Sequence, residues 1–157
     1  MALSAPTPSA DAHDLNDFAC SESVLTAWLA RQARRNEVGG ASRTYVVADG
    51  TIVVGYYCLA AGGVAHSLAP GSVRRNMPEP VPAIVLGRLA TKTGFEGQGI
   101  GSGMLKDAVL RARQAAGVVG ARVLLCTAMT DEARTFYVER GFAVSPVDPM
   151  LLMLRLG

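Results

Sequence analysis

The sequence predicts an α/β (α+β) domain with a mixed, mostly antiparallel sheet flanked by helices. Two apolar runs, residues 44–48 and 52–61, lie on either side of Asp49-Gly50, a dipeptide typical of tight hairpin turns. Residues 83–90 form another apolar run of strand length, followed by a glycine-rich turn and a helical pattern. A strand, a helix and a closing hairpin are expected after it. Strands and helices in this mixed order favour antiparallel pairing over a doubly wound parallel sheet.

The N-terminal half begins with an irregular lead-in over residues 4–20, with a short strand expected near its start. Ser21 or Ser23 is expected to cap a helix that ends at Gly39-Gly40. Four prolines limit residues 62–82 to loop and at most a short helix.

The C-terminal third is expected to form a buried strand over residues 122–128, after Gly117 and Gly120 break the preceding helix. Thr130 can cap a helix that stops at Gly141. Two closing strands follow, over 142–144 and 151–156.

The composition fits one globular domain over residues 1–157, because half of the residues are hydrophobic and the chain is long enough for a real core. No apolar run reaches membrane-spanning length, and the N-terminus lacks the features of a secretory signal. The three cysteines lie far apart and form no CxxC or Cys/His cluster, which argues against structural zinc and a disulfide framework. A reduced, cytoplasmic setting is therefore expected.

The glycine-rich turn after residues 83–90 is the strongest indication of ligand binding. Glycine lets the backbone approach a ligand closely, and a helix start offers unpaired N–H groups at the positive end of its dipole. These features predict an anion site, most naturally for phosphates. The turn lacks the Gly-Lys-Ser/Thr of a P-loop, and the Gly-x-Gly-x-x-Gly fingerprint fails in every register. A turn without a ligand is the alternative.

Residues 96–101, EGQGIG, closely resemble the Gln/Arg-x-x-Gly-x-Gly/Ala signature of the GNAT acetyltransferases, which cradles the pyrophosphate of acetyl-CoA. The resemblance implies the GNAT acyl-CoA N-acyltransferase fold and acetyl-CoA as co-substrate, without a metal. Glu96 replaces the usual Gln or Arg, and its side chain is expected to point away from the phosphates. The implied cofactor-binding residues are Leu89, Ala90, Gln98, Gly99, Ile100, Gly101, Ser102 and Phe136.

Residues 133–142, ARTFYVERGF, are similar to a second GNAT motif, A-x-x-F-Y-x-x-x-G-F, whose tyrosine sits near the thioester sulfur. The resemblance implies that Tyr137 is the catalytic residue and donates a proton to the leaving thiolate. Tyr137 is expected to face a cleft while Phe136 packs inward. An ordinary half-buried tyrosine is the alternative.

From about residue 13 to the C-terminus, further segments look like the acetyltransferase toxins of bacterial type II toxin–antitoxin modules. They include Leu25-x-x-Trp28-Leu29, residues 74–78 (RRNMP) and residues 86–90 (LGRLA). This resemblance implies acetylation of the α-amino group of aminoacyl-tRNA, inhibition of translation and neutralisation by a ribbon-helix-helix antitoxin. It also implies a homodimer and no membrane association.

The charge distribution agrees with an RNA substrate. The net charge is only +2, but residues 31–75 contain six arginines against two acidic residues. Such an excess can form a patch for phosphates or for an acidic partner, although a solvated helix face is the simpler reading. The candidate tRNA-facing residues are Arg34, Arg35, Arg74, Arg75 and Arg88.

No paired carboxylate offers an obvious general base. A free α-amine titrates near ~7.7–8.0, and esterification lowers this value, so much of an aminoacyl substrate is neutral at cellular pH. A lysine ε-amine, near ~10.4, would need a base. The cysteines have no evident histidine partner, which gives no support to a covalent thiol intermediate.

Three functions stay open from sequence alone. The first is the tRNA-directed acetyltransferase toxin. The second is a GNAT enzyme that acts on a small-molecule amine or a protein N-terminus. The third is a degenerate GNAT domain that only binds partners, which Glu96 keeps under consideration.

Overall fold

A computed structural model describes residues 2–157. The helices are α1 (Ser23–Arg31), α2 (Ala33–Gly39), α3 (Gly71–Arg74), α4 (Ile100–Val119) and α5 (Asp131–Glu139). The strands are β1 (Thr7–Pro8), β2 (Arg43–Asp49), β3 (Ile52–Val64), β4 (Val81–Thr91), β5 (Val123–Thr127), β6 (Ala143–Val144) and β7 (Leu151–Arg155). A short 3₁₀ turn covers His66–Leu68.

The strands form one sheet in the order β1-β2-β3-β4-β5-β7-β6. The pairs β1–β2, β2–β3, β5–β7 and β6–β7 are antiparallel, whereas β4 and β5 run parallel. The predicted mixed, mostly antiparallel sheet with helices is confirmed.

The β2–β3 hairpin turns at Gly50, whose φ of +62° suits glycine. The prediction that β3 ends at Ala61 is wrong, because the strand continues through Gly62 and Gly63 to Val64. A Cβ on Gly62 would lie 2.6 Å from the Val85 side chain, which is too close for any residue but glycine. Glycine at this position lets the β3 backbone pack against Val85. The absence of a side chain at Gly62 therefore serves the packing of β3.

The first predicted helix is divided at Gln32 into α1 and α2. The predicted cap is also wrong, because the N-cap residue is Glu22 and no side chain caps the helix. Gly40, at φ +78°, ends α2 as expected.

The C-terminal helix follows its prediction closely. The Thr130 hydroxyl accepts a hydrogen bond from the Ala133 N–H at 3.1 Å, and Gly141 follows the helix with φ +96°. Gly117, in contrast, does not break α4, which continues to Val119 and is followed by Gly120 at φ +82°.

The chain divides into two compact units, of which the first comprises the residues up to Ala60 together with Arg88–Ala108. Its core joins α1 and the N-terminal lead-in to the strands through an aromatic group. The ring of Tyr56 meets Phe18 edge-on at 5.3 Å and stacks on Trp28 at 6.1 Å. The Tyr56 hydroxyl donates to the carbonyl of Leu25 at 2.5 Å. These contacts fix α1 against β3.

The second unit comprises Ala61–Gly87 and Val109–Gly157. Its core contains Val73 of α3 among apolar strand residues such as Val81, Val123 and Met153. Arg122 secures α3, since its Nε and one terminal nitrogen donate to the carbonyls of Val73 and Ser72 at 3.3 and 3.1 Å. Within residues 2–157, no helix is long and apolar enough to cross a membrane.

Candidate functional site

The glycine-rich turn joins β4 to α4 within the first unit. Gly94, Gly97 and Gly99 have φ values of +95°, +76° and +80°, a region that residues with side chains rarely adopt. Two backbone hydrogen bonds hold the start of the turn. The Lys92 N–H donates to the Val54 carbonyl at 2.8 Å, and the Thr93 N–H donates to the Ala19 carbonyl at 2.8 Å. The predicted strand–turn–helix therefore exists, with glycines where the backbone requires them.

Helix α4 begins at the end of this turn. The N–H of Gly103 donates to the carbonyl of Gly99 at 3.0 Å, which makes Gly99 the residue that precedes the first turn of the helix. The N–H groups of Ile100 and Gly101 consequently have no acceptor within the helix and face outward from its positive end. Gln98 and Gly99 are exposed, whereas the Ile100 side chain is buried. This arrangement suits a bound anion.

The Glu96 carboxylate does not occupy these amides. It accepts a hydrogen bond from the N–H of Gly94 at 2.9 Å, two residues back in the same turn. The acidic residue that departs from the family signature thus stabilises the turn rather than filling it.

A pocket of about 170 Å³ lies next to the start of α4 within the first unit. Apolar side chains form most of its wall, and Gln98 and Gly99 border it. The lining residues are Leu3, Ser4, Pro6, Val47, Gln98, Gly99, Ile100, Gly103 and Met104. No sequence pattern predicted that Leu3, Ser4 and Pro6 would form part of this wall.

The predicted cofactor-binding residues of β4 differ in orientation. Ala90 is buried in the core of the first unit, so only its backbone is available, while Leu89 is half-buried. Parallel pairing between β4 and β5 runs from Ala83–Val123 to Val85–Leu125. The two strands part after Val85, which leaves later β4 backbone groups outside this ladder.

Tyr137 lies in the second unit on α5 and is only 7% exposed. Its ring contacts Phe136 edge-on and Phe142 at a tilt, both at 5.3 Å. Burial raises the pKa of its hydroxyl above the ordinary value, and the nearby Cys126 adds to that shift. The phenol therefore stays protonated at neutral pH.

The expectation that Phe136 packs inward is wrong. Phe136 is only half-buried, and the guanidinium of Arg140 covers its ring at 3.8 Å from the centroid. Arg140 also donates to the Phe136 carbonyl at 2.9 Å. Tyr137, one position along the helix, is the residue that faces the interior.

The candidate arginines fall into two groups. A terminal nitrogen of Arg34 donates to the carbonyls of Ala10, Asp11 and His13 at 2.6–3.4 Å. Arg74 donates to the carbonyl of Ala69 at 3.2 Å. The side chains of Arg34 and Arg74 therefore already bind backbone carbonyls of neighbouring segments.

In the described part of the chain, Arg35 and Arg75 form no side-chain hydrogen bond or ion pair, and both are exposed. Their guanidinium groups are available to a ligand. Arg88 is also exposed, and its guanidinium carbon lies 4.4 Å from the centroid of the Trp28 ring.

The cysteines are unlinked, and Cys58 and Cys126 are buried. Burial raises the pKa of the Cys58 and Cys126 thiols to about 12. Few thiolates therefore exist at neutral pH, which argues against either group as a nucleophile. Residues 2–157 contain no group of three or more histidine, cysteine or acidic side chains arranged to hold a metal ion.

Comparison with known proteins identifies the family of this chain. The family model "Acetyltransferase (GNAT) domain" matches residues 40–144, and this chain belongs to the GNAT acetyltransferase family. A tRNA-acetylating toxin of Mycobacterium tuberculosis (strain ATCC 25618 / H37Rv) is 49% identical over 153 residues, which cover 98% of this chain and 92% of the toxin.

Solved structures of toxins are similar over nearly the whole chain. A tyrosine-to-phenylalanine mutant of KacT matches with a TM-score of 0.90 at 25% identity, covering 98% of this chain and 95% of its own. AtaT complexed with acetyl-methionyl-tRNAfMet gives 0.87 at 26% identity, with coverages of 98% and 95%. AtaTR bound with AcCoA gives 0.83 at 26% identity, with coverages of 98% and 94%.

The AtaT–AtaR complex bound to DNA matches with a TM-score of 0.76 at 27% identity, covering 99% of this chain and 95% of the matched one.

Proposed function

We propose that this chain is an acetyl-CoA-dependent N-acetyltransferase toxin. It acetylates the α-amino group of aminoacyl-tRNA, thereby inhibits translation, and is neutralised by a cognate antitoxin. The observation that carries the proposal is the 49% identity to a tRNA-acetylating toxin over 98% of the chain. The complex of AtaT with acetyl-methionyl-tRNAfMet supports the choice of an aminoacyl-tRNA substrate.

Acetyl-CoA binds at the glycine turn. The backbone N–H groups of Gln98, Gly99, Ile100, Gly101 and Ser102 hold the pyrophosphate at the positive end of α4. Leu89 and Ala90 lie along the pantetheine arm, where a β4 backbone N–H polarises the thioester carbonyl. The parting of β4 and β5 after Val85 supports this role, because it leaves backbone groups outside the ladder.

Tyr137 is the general acid. Its hydroxyl donates a proton to the CoA thiolate as the acetyl group leaves, and Phe136 contributes to the cofactor site. Burial keeps the Tyr137 hydroxyl in its protonated form, which a proton donor needs at the start of this step.

The amine attacks the thioester directly. A neutral aminoacyl α-amine needs no strong base, and the high pKa values of the Cys58 and Cys126 thiols disfavour an acetylated cysteine intermediate. The reaction therefore forms one N–C bond and breaks one C–S bond in a single complex. The amine nitrogen releases one proton to solvent, and solvent returns a proton to Tyr137 after it has protonated the CoA thiolate.

Five arginines face the tRNA, and they differ in how directly they can contact its phosphates. Arg35 and Arg75 bind phosphates directly, since their guanidinium groups are exposed and unpaired within residues 2–157. Arg34 and Arg74 contribute charge while they anchor backbone. Arg88 lies on β4 beside the proposed cofactor arm.

The antitoxin is a ribbon-helix-helix protein, the toxin is a homodimer, and both act in the cytoplasm, where charged tRNA is found. The DNA-bound AtaT–AtaR complex supports the antitoxin partner alone, because it pairs AtaR with a protein similar to this chain. All of residues 1–157 act as one acetyltransferase domain.

The test is acetylation of charged tRNA in vitro. Purified protein is incubated with acetyl-CoA and tRNAs charged with individual amino acids, and acetyl-aminoacyl product is measured. Tyr137→Phe is expected to lower kcat by about 10²–10³-fold at an unchanged melting temperature, because only the proton donor is lost.

Tyr45→Phe is the matched control, since it removes a tyrosine hydroxyl from β2, and it is expected to retain the wild-type kcat. Absence of product with every charged tRNA, together with acetylation of a small amine or a protein N-terminus, would replace the tRNA substrate by that alternative. Failure to bind acetyl-CoA in calorimetry would instead reduce the chain to a binding domain.

A further inference from the structure

The backbone of Arg88 has a φ of +62° inside strand β4. Glycine adopts this conformation without strain, whereas a residue with a Cβ does not. Such strain at a residue with a side chain is concentrated at functional sites. An arginine at a position suited to glycine therefore indicates that the arginine side chain has a functional role.

The Arg88 guanidinium is held in place by Trp28. Its central carbon lies 4.4 Å from the centroid of the indole, and the indole is 9% exposed and stacks on Tyr56 at an interplanar angle of 6°. One face of the guanidinium is thus covered by a rigid aromatic group. Its edge N–H groups are left to bind an anion.

No carboxylate neutralises Arg88 within the described residues, although the chain contains thirteen acidic residues. The positive charge of Arg88 acts on two neighbouring groups. Burial raises the pKa values of Tyr56 and Cys58, and the charge of Arg88 opposes both shifts. The side chain remains exposed despite these contacts. A fixed, exposed and uncompensated cation is suited to a phosphate.

The position of Arg88 on β4 indicates which phosphate this is. Arg88 immediately precedes Leu89 and Ala90, the backbone proposed to lie along the pantetheine arm, and it is separated from the glycine turn by only a few residues. A phosphate bound here would lie close to the reacting thioester. Arg35 and Arg75, on α2 and after α3, belong to other elements.

We propose that Arg88, held by the positioning residue Trp28, binds a phosphate at the 3′ end of the charged tRNA, next to the aminoacyl ester. This inference rests on the proposed function. The phosphates of acetyl-CoA offer the same chemistry, so the experiment has to distinguish the two sources.

The first test is Arg88→Gly, which relieves the backbone strain and removes the cation. The melting temperature is expected to stay within a few degrees of wild type, while kcat/KM for charged tRNA falls about ten- to hundredfold. The KM for acetyl-CoA is expected to remain unchanged. Arg88→Lys keeps the charge but loses the planar stack, and should fall between the two.

The second test is a double-mutant cycle between Arg88→Gly and Trp28→Phe. Trp28→Phe keeps an aromatic ring but weakens the cation–π contact. It is expected to raise KM for charged tRNA severalfold with little change in kcat, and to have no such effect when Arg88 is glycine. Arg113→Gln, at an exposed arginine of α4, is the control and should match wild type.

Several results would overturn the assignment. A wild-type kcat/KM for charged tRNA in Arg88→Gly would do so, as would a rise confined to the KM for acetyl-CoA, which would assign the phosphate to the cofactor. Additive effects in the cycle would remove Trp28 as a positioning residue.

If the wild-type protein acetylates no charged tRNA, the proposed function fails separately. Equal affinity of wild type and Arg88→Gly for a hairpin RNA with the tRNA 3′ end, measured by fluorescence anisotropy, would then also reject Arg88.

Discussion

At the scale of single residues, burial sets the protonation state of the reactive groups. Tyr137 is enclosed by Phe136 and Phe142, and this burial raises the pKa of its hydroxyl. Charging a group in a poorly hydrated environment is unfavourable, so the neutral form is retained. The same effect keeps Tyr137 protonated and makes Cys58 and Cys126 unsuitable nucleophiles.

The buried thiols predict a pH dependence of stability. Burial raises the pKa of Cys58 and Cys126 from 9.0 to about 12 in the folded protein. Their contribution is complete below pH 9 and is lost as the pH rises toward 12, because the unfolded chain ionises first. At pH 10 each thiol should lower the free energy of unfolding by about 1.4 kcal/mol.

Urea denaturation at pH 7, 9 and 10 measures this dependence. The Cys58→Ala, Cys126→Ala double variant should start less stable at pH 7, because it loses buried side-chain atoms. It should nevertheless lose less stability than wild type between pH 7 and pH 10. Identical slopes for the two proteins would contradict the raised thiol pKa values.

At the scale of elements, the glycine turn depends on how α4 packs against β3. Gly55 of β3 allows a close approach, since a Cβ there would lie 3.0 Å from the side chains of Ile100 and Met104. These residues belong to the first turns of α4, next to the proposed pyrophosphate amides. A hydrogen bond from Tyr57 to Asp107 joins the same two elements farther along.

Gly55→Ala is therefore expected to displace the start of α4. Overpacking of this kind costs about 1–3 kcal/mol, and the misplaced amides should raise KM for acetyl-CoA more than they lower kcat. Isothermal titration with acetyl-CoA and steady-state kinetics provide the measurement.

Gly117→Ala is the matched glycine control. Gly117 lies in the exposed part of α4, and a Cβ there meets nothing within 4 Å. Since alanine favours a helix, the substitution should raise stability by about 0.5–1 kcal/mol without changing kinetics. If both substitutions change KM for acetyl-CoA equally, close packing at Gly55 is not what positions the turn.

At the scale of the whole molecule, the net charge of +2 is too small to attract RNA by itself. Affinity for tRNA has to come from a few local arginines, with Arg35 and Arg75 the most available. Each phosphate contact releases counterions, so binding should weaken as salt is added.

The logarithm of the KM for charged tRNA should therefore rise with the logarithm of salt concentration. The Arg35→Gln, Arg75→Gln double variant should reduce that slope by about 0.7–0.9 for each lost contact. Arg113→Gln should leave the slope at its wild-type value. A double variant with an unchanged slope would exclude these two arginines from the tRNA surface.

The outcome of the sequence-based expectations depended on the range of the interactions involved. The Asp49-Gly50 hairpin, the glycine turn and the Thr130 cap were predicted correctly, because each depends on a few neighbouring residues. The continuation of β3 through Gly62 was missed, since it depends on a contact with Val85. The salt bridge of 2.9 Å between Lys92 and Asp17, which are 75 positions apart, left no sequence signal.

By itself, the sequence determined the order of elements, the sheet class and the family motifs at residues 96–101 and 133–142. These features are written in short-range patterns of glycine, caps and apolar periodicity. Only the tertiary structure decided that Arg34 holds the N-terminal backbone, that Trp28 supports Arg88 and that Tyr137 rather than Phe136 faces the interior. Each depends on which distant groups the fold brings within contact distance, and local periodicity carries no record of that.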